Sequence, residues 1–325
     1  MPESAGQTAE RDFQTGYALP IEHPFTTRER RMRLALTAIT LASAALPTFV
    51  LAEPQQEQLS TTPAPEPKAE DQSQPLGTKQ PEWKFQFEPS AWYAGASGKV
   101  RIAGAPANAG TVQINDLHLD NPRLTPAGEL HVRTGNWRFS FGTFFFSQNR
   151  LQTMDVGGQL GTVTFAPGNQ VYSKMEQNEY VPVVGYEFWN YYAPKSTGGV
   201  EFLGRLEAFG GARIDDMQFS FAQGAIASSQ SEVFGQAIIG VKGSMEIAEQ
   251  FSIDLETSVG GWPGSNDYAW SWDITVGFMW RPIPNVGVQV GYRNLVNELR
   301  SGSDSERFYY NGGLAGLFFG AVVRF

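Results

Sequence analysis

Large apolar side chains occupy every second position of the thirteen residues from Tyr268 to Trp280, which read YAWSWDITVGFMW. Successive side chains of an extended chain point to opposite faces, so this alternation predicts a strand with one apolar face and one small or polar face. Strands of soluble sandwiches usually have about 5 to 6 residues. Thirteen residues at roughly 3.3 Å each, tilted near 45°, project to about 28 Å, which is close to the hydrocarbon thickness of a bilayer. The segment therefore predicts a strand that crosses a membrane.

The same sorting of apolar and polar residues recurs in nine further segments, at about 82–95, 124–134, 137–145, 179–189, 201–214, 232–247, 251–259, 286–292 and 312–325. An even number of strands suits an antiparallel barrel that has both ends of the chain on one side. An open sheet would leave backbone groups unpaired in hydrocarbon. The sequence thus predicts an all-β fold, a membrane-spanning antiparallel up-and-down β-barrel of about ten strands over residues 82–325.

The last of these segments ends the chain on an aromatic residue. Its apolar parity comprises Ala315, Leu317, Phe319, Ala321, Val323 and Phe325. A terminal Phe preceded by alternate apolar residues resembles the recognition signal of bacterial outer-membrane barrels. Phe325 is therefore the predicted assembly signal, and the barrel-assembly machinery is a predicted partner through this strand.

Connection lengths between the predicted strands alternate between short and long. The turns on the side of the termini are 135–136, 248–250 and 281–285, with a moderate one at 191–199. The opposite side carries loops at 98–123, 147–178, 215–231 and 297–306, with a short one at 261–267. Short periplasmic turns and longer outer loops are typical of outer-membrane barrels. In this orientation Tyr268, Trp270 and Trp272 belong to one aromatic girdle in contact with outer-membrane lipid, and Phe278 and Trp280 belong to the other.

The first 81 residues lie outside the predicted barrel. A basic stretch before an apolar run from Leu34, followed by small residues up to Ala52, predicts a secretory signal peptide that is cleaved after Ala52. An uncleaved inner-membrane anchor is the alternative, and Met32 is a candidate true start. Residues 53–81, rich in Pro, Gln and Glu, predict a disordered periplasmic tail, with a specific periplasmic contact as the alternative.

Composition excludes several kinds of chemistry. The chain has no cysteine, which removes disulfides, thiolate nucleophiles and Cys-ligated metals. Its net charge of -9 argues against nucleic acid as a partner. No stretch resembles a nucleotide-binding loop, and no cofactor or metal is predicted.

The inward parity of the predicted strands collects ionisable residues of both signs. Ten are acids, namely Glu88, Glu129, Glu179, Glu187, Glu207, Asp215, Glu246, Asp254, Glu256 and Asp273. Eight are bases, namely Lys84, Arg133, Arg138, Arg205, Arg213, Lys242, Arg293 and Arg324, and His131 joins them. A lumen of ten strands is only a little wider than one that side chains fill, so nearly balanced charges are expected to pair across it and plug it. The alternative is a narrow passage that prefers cations, since Glu207, Glu246, Asp254, Glu256 and Asp273 lie on successive strands.

One histidine outside the strands raises the question of a hydrolase. His118 lies in DLHLD between Asp116 and Asp120, and all three side chains would share one face if the stretch were extended. A His base with an orienting carboxylate needs such an arrangement. A three-residue run of acid, His and acid is a weak signal that an ordinary polar loop explains better, and the sequence predicts no enzyme.

Parts of the C-terminal half are similar to a known type of protein. Val259, Gly260 and Gly261 with the Trp270 strand, the Gly291-Tyr292-Arg293 strand and the closing segment 312–325 resemble an uncharacterised family of ten-stranded outer-membrane barrels of Gram-negative bacteria. WYAGASGKV and GELHVRTGNW match more loosely, so the resemblance covers residues 82–325. It implies the barrel fold and the outer membrane but carries no known activity. The expected role is structural or interactive, with loops 98–123 and 147–178 displayed outside.

Overall fold

The computed structural model describes residues 84–195, 200–264 and 267–325. The predicted signal peptide, the tail at 53–81 and the first residues of the predicted barrel, 82 and 83, lie outside the described residues. Among those described, no helix combines the length and the apolar character of a membrane span. They contain thirteen strands and one short 3-10 helix, Asp304–Glu306. The strands are β1 (Phe85–Arg101), β2 (Val112–Gln113), β3 (Arg123–Thr134), β4 (Trp137–Thr153), β5 (Gly158–Leu160), β6 (Val163–Phe165), β7 (Gln170–Pro194), β8 (Val200–Gln223), β9 (Ile226–Ile247), β10 (Phe251–Trp262), β11 (Tyr268–Ile283), β12 (Val286–Ser301) and β13 (Phe308–Arg324).

Ten of the described strands form a closed antiparallel barrel. Their order around the wall is β1, β3, β4, β7, β8, β9, β10, β11, β12 and β13, and β13 pairs with β1 to close it. The closing pair joins Phe87 to Val323 and Gly98 to Gly312 in continuous register. The predicted fold class, a membrane-spanning up-and-down barrel of about ten strands, is confirmed.

The outer face of the barrel is apolar over the middle of the strands. On β11, Val276 is 46% exposed and Trp280 is 44% exposed, whereas Asp273 on the other parity is 8% exposed. The same outward parity brings together Phe139 and Phe141 on β4, Leu255 on β10 and Val290 on β12. We call this surface the apolar belt. A closed wall with an apolar exterior satisfies the backbone internally and offers lipid only side chains.

Three strands continue far beyond the apolar belt. β7, β8 and β9 have 25, 24 and 22 residues, whereas β3 and β10 have 12 each. The predicted outer loop at 215–231 is therefore wrong, because β8 runs to Gln223 and β9 begins at Ile226 after a tight turn. Gly224 in that turn has a φ of +58°, which a glycine adopts without strain. In this extension the apolar residues lie on the inner face instead of the outer one. Met217 and Phe219 point inward, while the polar Asp216 and Gln218 point outward.

Other predicted connections are shorter than expected. The loop predicted at 147–178 spans only 154–169, because β4 reaches Thr153 and β7 starts at Gln170, and it contains the β5–β6 hairpin. The loop predicted at 98–123 shrinks to 102–122, and the one predicted at 297–306 becomes 302–307. On the side of the termini, β7 extends to Pro194 and β11 to Ile283. Hydrogen bonding to a long neighbouring strand extends each strand past the point where its own apolar pattern stops.

An apolar cluster fills the barrel at the end opposite the termini, and we call it the outer plug. Loops 102–122 and 154–169 supply Ile114, Leu117, Leu119, Leu160, Val163 and Phe165. The barrel strands supply Trp92, Phe144, Phe219, Leu299, Phe308 and Tyr310. Each of these side chains is at most 3% exposed. The Phe219 ring centroid lies 6.0 Å from that of Phe308 and 5.8 Å from that of Tyr310. Loops 102–122 and 154–169 thus fold into the mouth of the barrel, whereas the sequence predicted that they are displayed outside.

Candidate functional site

The candidate site is the lumen below the outer plug, where inward side chains of all ten barrel strands leave a cavity of about 150 Å³. The cavity extends from Gln86 and Arg324, near the turns, to Trp92 and Asp273, next to the plug. Most of its charged groups are predicted residues, because the parity of a strand fixes the side of the wall to which each side chain points. Lys84 precedes β1, is exposed and does not line the cavity, and the inward residues Glu187 and Asp215 do not line it either.

Two arginines and two acids form a closed ring across the lumen directly below the plug, which we call the charge quartet. Arg213 Nε lies 3.0 Å from Glu179 Oε2, and Arg213 Nη2 lies 2.9 Å from Asp273 Oδ2. Arg293 Nη2 lies 2.7 Å from Glu179 Oε1 and 2.6 Å from Asp273 Oδ2. Arg293 on β12 and Glu179 on β7 are five strands apart in the barrel order, so their ion pair spans the full width of the lumen.

The charge quartet is joined to the outer plug through Arg293. Its guanidinium carbon lies 5.2 Å from the Trp92 ring centroid and 5.3 Å from that of Phe144. Both rings belong to the plug, so aromatic faces cover the upper side of the cation while carboxylates bind its edge. Arg213 is 1% exposed and also donates a hydrogen bond to Ser271 Oγ at 2.6 Å. Ion pairs and apolar packing therefore close two adjacent cross-sections of the lumen.

A second ionic cluster lies nearer the turns on one wall. Arg133 Nη1 donates to Glu187 Oε2 at 2.6 Å, and Arg133 also pairs with Glu207. Arg138 Nε donates to the other oxygen of Glu207 at 2.6 Å. Arg205 Nε lies 3.6 Å from Glu187 Oε2. These residues come from β3, β4, β7 and β8, so the cluster ties four consecutive strands together on their inner face.

Three further ion pairs join β9 to β10, β11 and β13. Lys242 Nζ lies 3.2 Å from Glu256 Oε2. Arg281 Nη2 lies 2.6 Å from Glu246 Oε1, and Arg324 Nη1 lies 3.6 Å from Glu246 Oε2. Arg281 was not among the predicted residues, because its position was assigned to a turn. β11 continues to Ile283 and points Arg281 into the lumen, which could have been found by extending the parity of Trp280 by one residue.

Three further acids of the cavity, Glu88, Glu129 and Asp254, form no ion pair with an arginine or lysine among the described residues. His131 Nε2 lies 3.2 Å from Glu88 Oε1 and 3.3 Å from Glu129 Oε2, so one imidazole serves two carboxylates. The side chain of Asp254 takes part in no ion pair or hydrogen bond with the part of the chain that the structure describes. All eleven residues predicted as the lumen network line the cavity, but Asp254 does not join the network of ion pairs. Asp215 is also inward and buried, and it accepts hydrogen bonds from Gln177 and Gln236 above the quartet.

The His118 stretch does not have the extended form that a shared face with Asp116 and Asp120 requires. Residues 114–118 form a turn in which the His118 N–H donates to Asn115 O, and His118 itself has a φ of +55°. Its flanking residues Leu117 and Leu119 are buried in the outer plug. The carboxylate nearest to His118 among the described ion pairs is that of Asp155 in the other loop, at 4.0 Å from Nε2. A catalytic hydrogen bond needs about 2.6–3.2 Å.

The predicted girdle residues lie on the outer face of β11. Trp270 and Trp272 are 38% and 41% exposed, and Phe278 and Trp280 are 43% and 44% exposed, while Tyr268 is half-buried beneath Arg300. Phe325 is 71% exposed at the turn end, where its N–H donates to Phe85 O at 2.9 Å. Its role as an assembly signal stays a prediction.

No protein-family model matches the chain, and no curated protein matches it. The resemblance to one particular barrel family thus stays a prediction. Among solved structures, the outer membrane protease OmpT from Escherichia coli has a TM-score of 0.48 at 11% identity, over 74% of this chain and 97% of that chain. Neisserial surface protein A has a TM-score of 0.32 at 14% identity, covering 74% and 97%, and Ail of Yersinia pestis has 0.30 at 10%, covering 74% and 99%. At these identities and scores the similarities carry no functional argument.

Proposed function

We propose that the chain is an integral protein of the bacterial outer membrane whose barrel is closed to solutes and whose role is structural or interactive at the cell surface. The observation that carries the proposal is the double closure of the lumen by the charge quartet and, above it, the outer plug. Ions cannot pass a dry apolar layer without losing their hydration, and the buried Arg213 and Glu179 are already paired with each other.

The apolar belt and the direction of the strands support this location. Between Trp270 and Trp280 the strand spans ten residue steps, about 33 Å along its axis and about 23 Å across the membrane at a 45° tilt. This agrees with the apolar band of about 25 Å that outer-membrane barrels present. The short turns near the termini then face the periplasm, and the β8–β9 hairpin projects outside. Its outward residues Asp216, Gln218 and Ser220 are polar, as a surface in water requires.

The orientation can be tested by labelling, because the chain contains no cysteine. Ala225→Cys places a thiol at the exposed tip of the β8–β9 hairpin, and Pro284→Cys places one in the exposed β11–β12 turn. We expect a membrane-impermeant maleimide to label the first variant in intact cells and the second only after lysis. If only Pro284→Cys were labelled in intact cells, the barrel would have the opposite orientation in the membrane. If neither variant were labelled before lysis, the proposed location would be contradicted.

The closure can be tested by conductance. The full-length protein, inserted into a planar bilayer with insertion checked by maleimide access to Ala225→Cys, should give no stable current steps. Stable steps would contradict the proposal and favour the alternative, a narrow passage for cations. In that case the triple variant Asp254→Asn, Glu256→Gln, Asp273→Asn should weaken the preference for cations, because it removes three negative charges from the lumen.

We propose no catalytic role. The support is the turn at residues 114–118, which lacks the extended form in which His118 would share a face with Asp116 and Asp120. Any hydrolysis measured with the purified protein should therefore be the same for His118→Ala and for the wild type.

A further inference from the structure

We propose that the lumenal cavity binds a small linear diamine that enters from the turn side. The proposal goes beyond closure of the barrel, since a cavity that the outer plug closes at one end can bind a ligand without conducting. It rests on unevenly distributed charge, on the volume of the cavity and on a buried hydroxyl without a partner.

Negative charge accumulates on two facing walls of the cavity. Glu88 and Glu129 project from β1 and β3, and Asp254 and Glu256 project from β10. β3 and β10 are five strands apart in the ring, so their inner faces oppose each other. Glu129 and Glu256 thus line facing walls of the same cavity, and like charges in one cavity repel each other. A ligand with a positive group at each end would relieve this repulsion on both walls.

Lys242 binds Glu256 at 3.2 Å and His131 contacts Glu129 at 3.3 Å, but each acid keeps surface that faces the cavity. The side chains of Glu129 and Glu256 are 48% and 32% exposed, although both point into the lumen, so their exposed surface belongs to the cavity. Asp254 has no cationic partner within ion-pair distance among the described residues. Arg213, Arg293, Arg133 and Arg138 are already bound by other acids.

A hydroxyl group points to the same place. Ser252 precedes Asp254 by two residues on the inner face of β10, is 4% exposed and lines the cavity. Its Oγ has no hydrogen-bond partner in the part of the chain that the structure describes. Leaving a buried hydroxyl without a hydrogen-bond partner has a free-energy cost. An ammonium group seated at Asp254 could donate a second hydrogen bond to Ser252 Oγ and remove that cost.

The volume limits the size of the ligand. A cavity of about 150 Å³ admits a molecule of about six heavy atoms, as the apolar cavity of that size that binds benzene illustrates. A diamine with a four-carbon chain has six heavy atoms and places its two ammonium groups at opposite ends. A divalent metal ion concentrates its charge at one point and would not reach carboxylates on both walls.

The test is calorimetric titration of the full chain in detergent with 1,4-diaminobutane. We expect saturable binding, weakened by about tenfold or more in Asp254→Asn and in Glu129→Gln, because each loses a charge-assisted hydrogen bond of about 1.5–3 kcal/mol. 1-Aminobutane should bind at least about tenfold more weakly, and 1,4-butanediol should show no saturable binding. The matched control is Asp216→Asn, which removes one negative charge from the outer surface of β8 and should leave the affinity unchanged.

Three results would overturn the proposal. The first is absence of saturable binding to wild-type protein that migrates as a folded barrel. The second is an equal loss in Asp216→Asn and Asp254→Asn, which would indicate unspecific attraction to a negative protein. The third is displacement of the diamine by magnesium ions at equal concentration, which would indicate a site for simple cations. None of these results bears on whether the barrel conducts.

Discussion

Replacement of Arg213 by Met should lower the free energy of unfolding by about 3–5 kcal/mol, the cost of leaving a buried charge without its partner. Arg213 contacts Glu179 and Asp273 at 3.0 and 2.9 Å, and without it two acids depend on Arg293 alone. Glu179 is 1% exposed and cannot recover water in exchange. Urea unfolding in phospholipid vesicles, followed by tryptophan fluorescence, measures the change.

A double variant separates the charge imbalance from lost packing. Arg213→Met combined with Glu179→Gln leaves Asp273 and Arg293 as a balanced pair, so we expect it to be more stable than Arg213→Met alone. Arg300→Met, an exposed arginine on the outer face of β12, is the control and should cost about 1 kcal/mol or less. A loss below about 1 kcal/mol in Arg213→Met would mean that the quartet is not a closed buried network.

Replacement of Val276 by Arg should cost about 2–4 kcal/mol, as expected for a charge on the lipid face at the middle of the bilayer. Val276 is 46% exposed on the outer face, between Trp272 and Trp280. The same substitution at a strand position exposed to water would be nearly neutral. A large loss of unfolding free energy therefore indicates that Val276 contacts lipid. The same unfolding assay applies.

The control for this variant is Gln218→Arg on the outer parity of β8, beyond the apolar belt, which should cost about 0–1 kcal/mol. Equal costs at Val276 and Gln218 would falsify the assignment of the belt to the membrane. A large cost at Gln218 with none at Val276 would place the bilayer around the extended parts of β7, β8 and β9 instead.

The faces of the barrel strands follow from local sequence, whereas the partners in the lumen do not. The parity of β11 alone places Asp273 inside and Val276 outside, because the pleat has a period of two. That Arg293 meets Glu179 depends on strand order, tilt and shear around the whole barrel, which no single segment encodes. The sequence therefore predicts a charged lumen but does not predict the quartet.

The outer plug was missed for a different reason. In the upper part of β8 the apolar residues Met217, Phe219 and Phe221 continue the alternation on the inward parity, but the outward residues become polar. A sequence criterion that requires apolar residues on the lipid-facing parity therefore ends the strand where the outward residues become polar, and it predicts a loop there. In β9 both parities are polar near Ser229 and Gln230, and only pairing with β8 shows that the strand continues.

The composition of the outer plug has a consequence for the order of events during biogenesis. Trp92 comes from the first strand to be synthesised, Phe144 and Phe219 come from the middle of the chain, and Phe308 comes from the last strand. Contacts between such distant residues form late, after the long intervening loops have been closed. Until β13 pairs with β1, Phe308 and Trp92 cannot both join the plug, and its apolar inner surface stays open. Closure of the wall and burial of the plug are therefore expected to occur together.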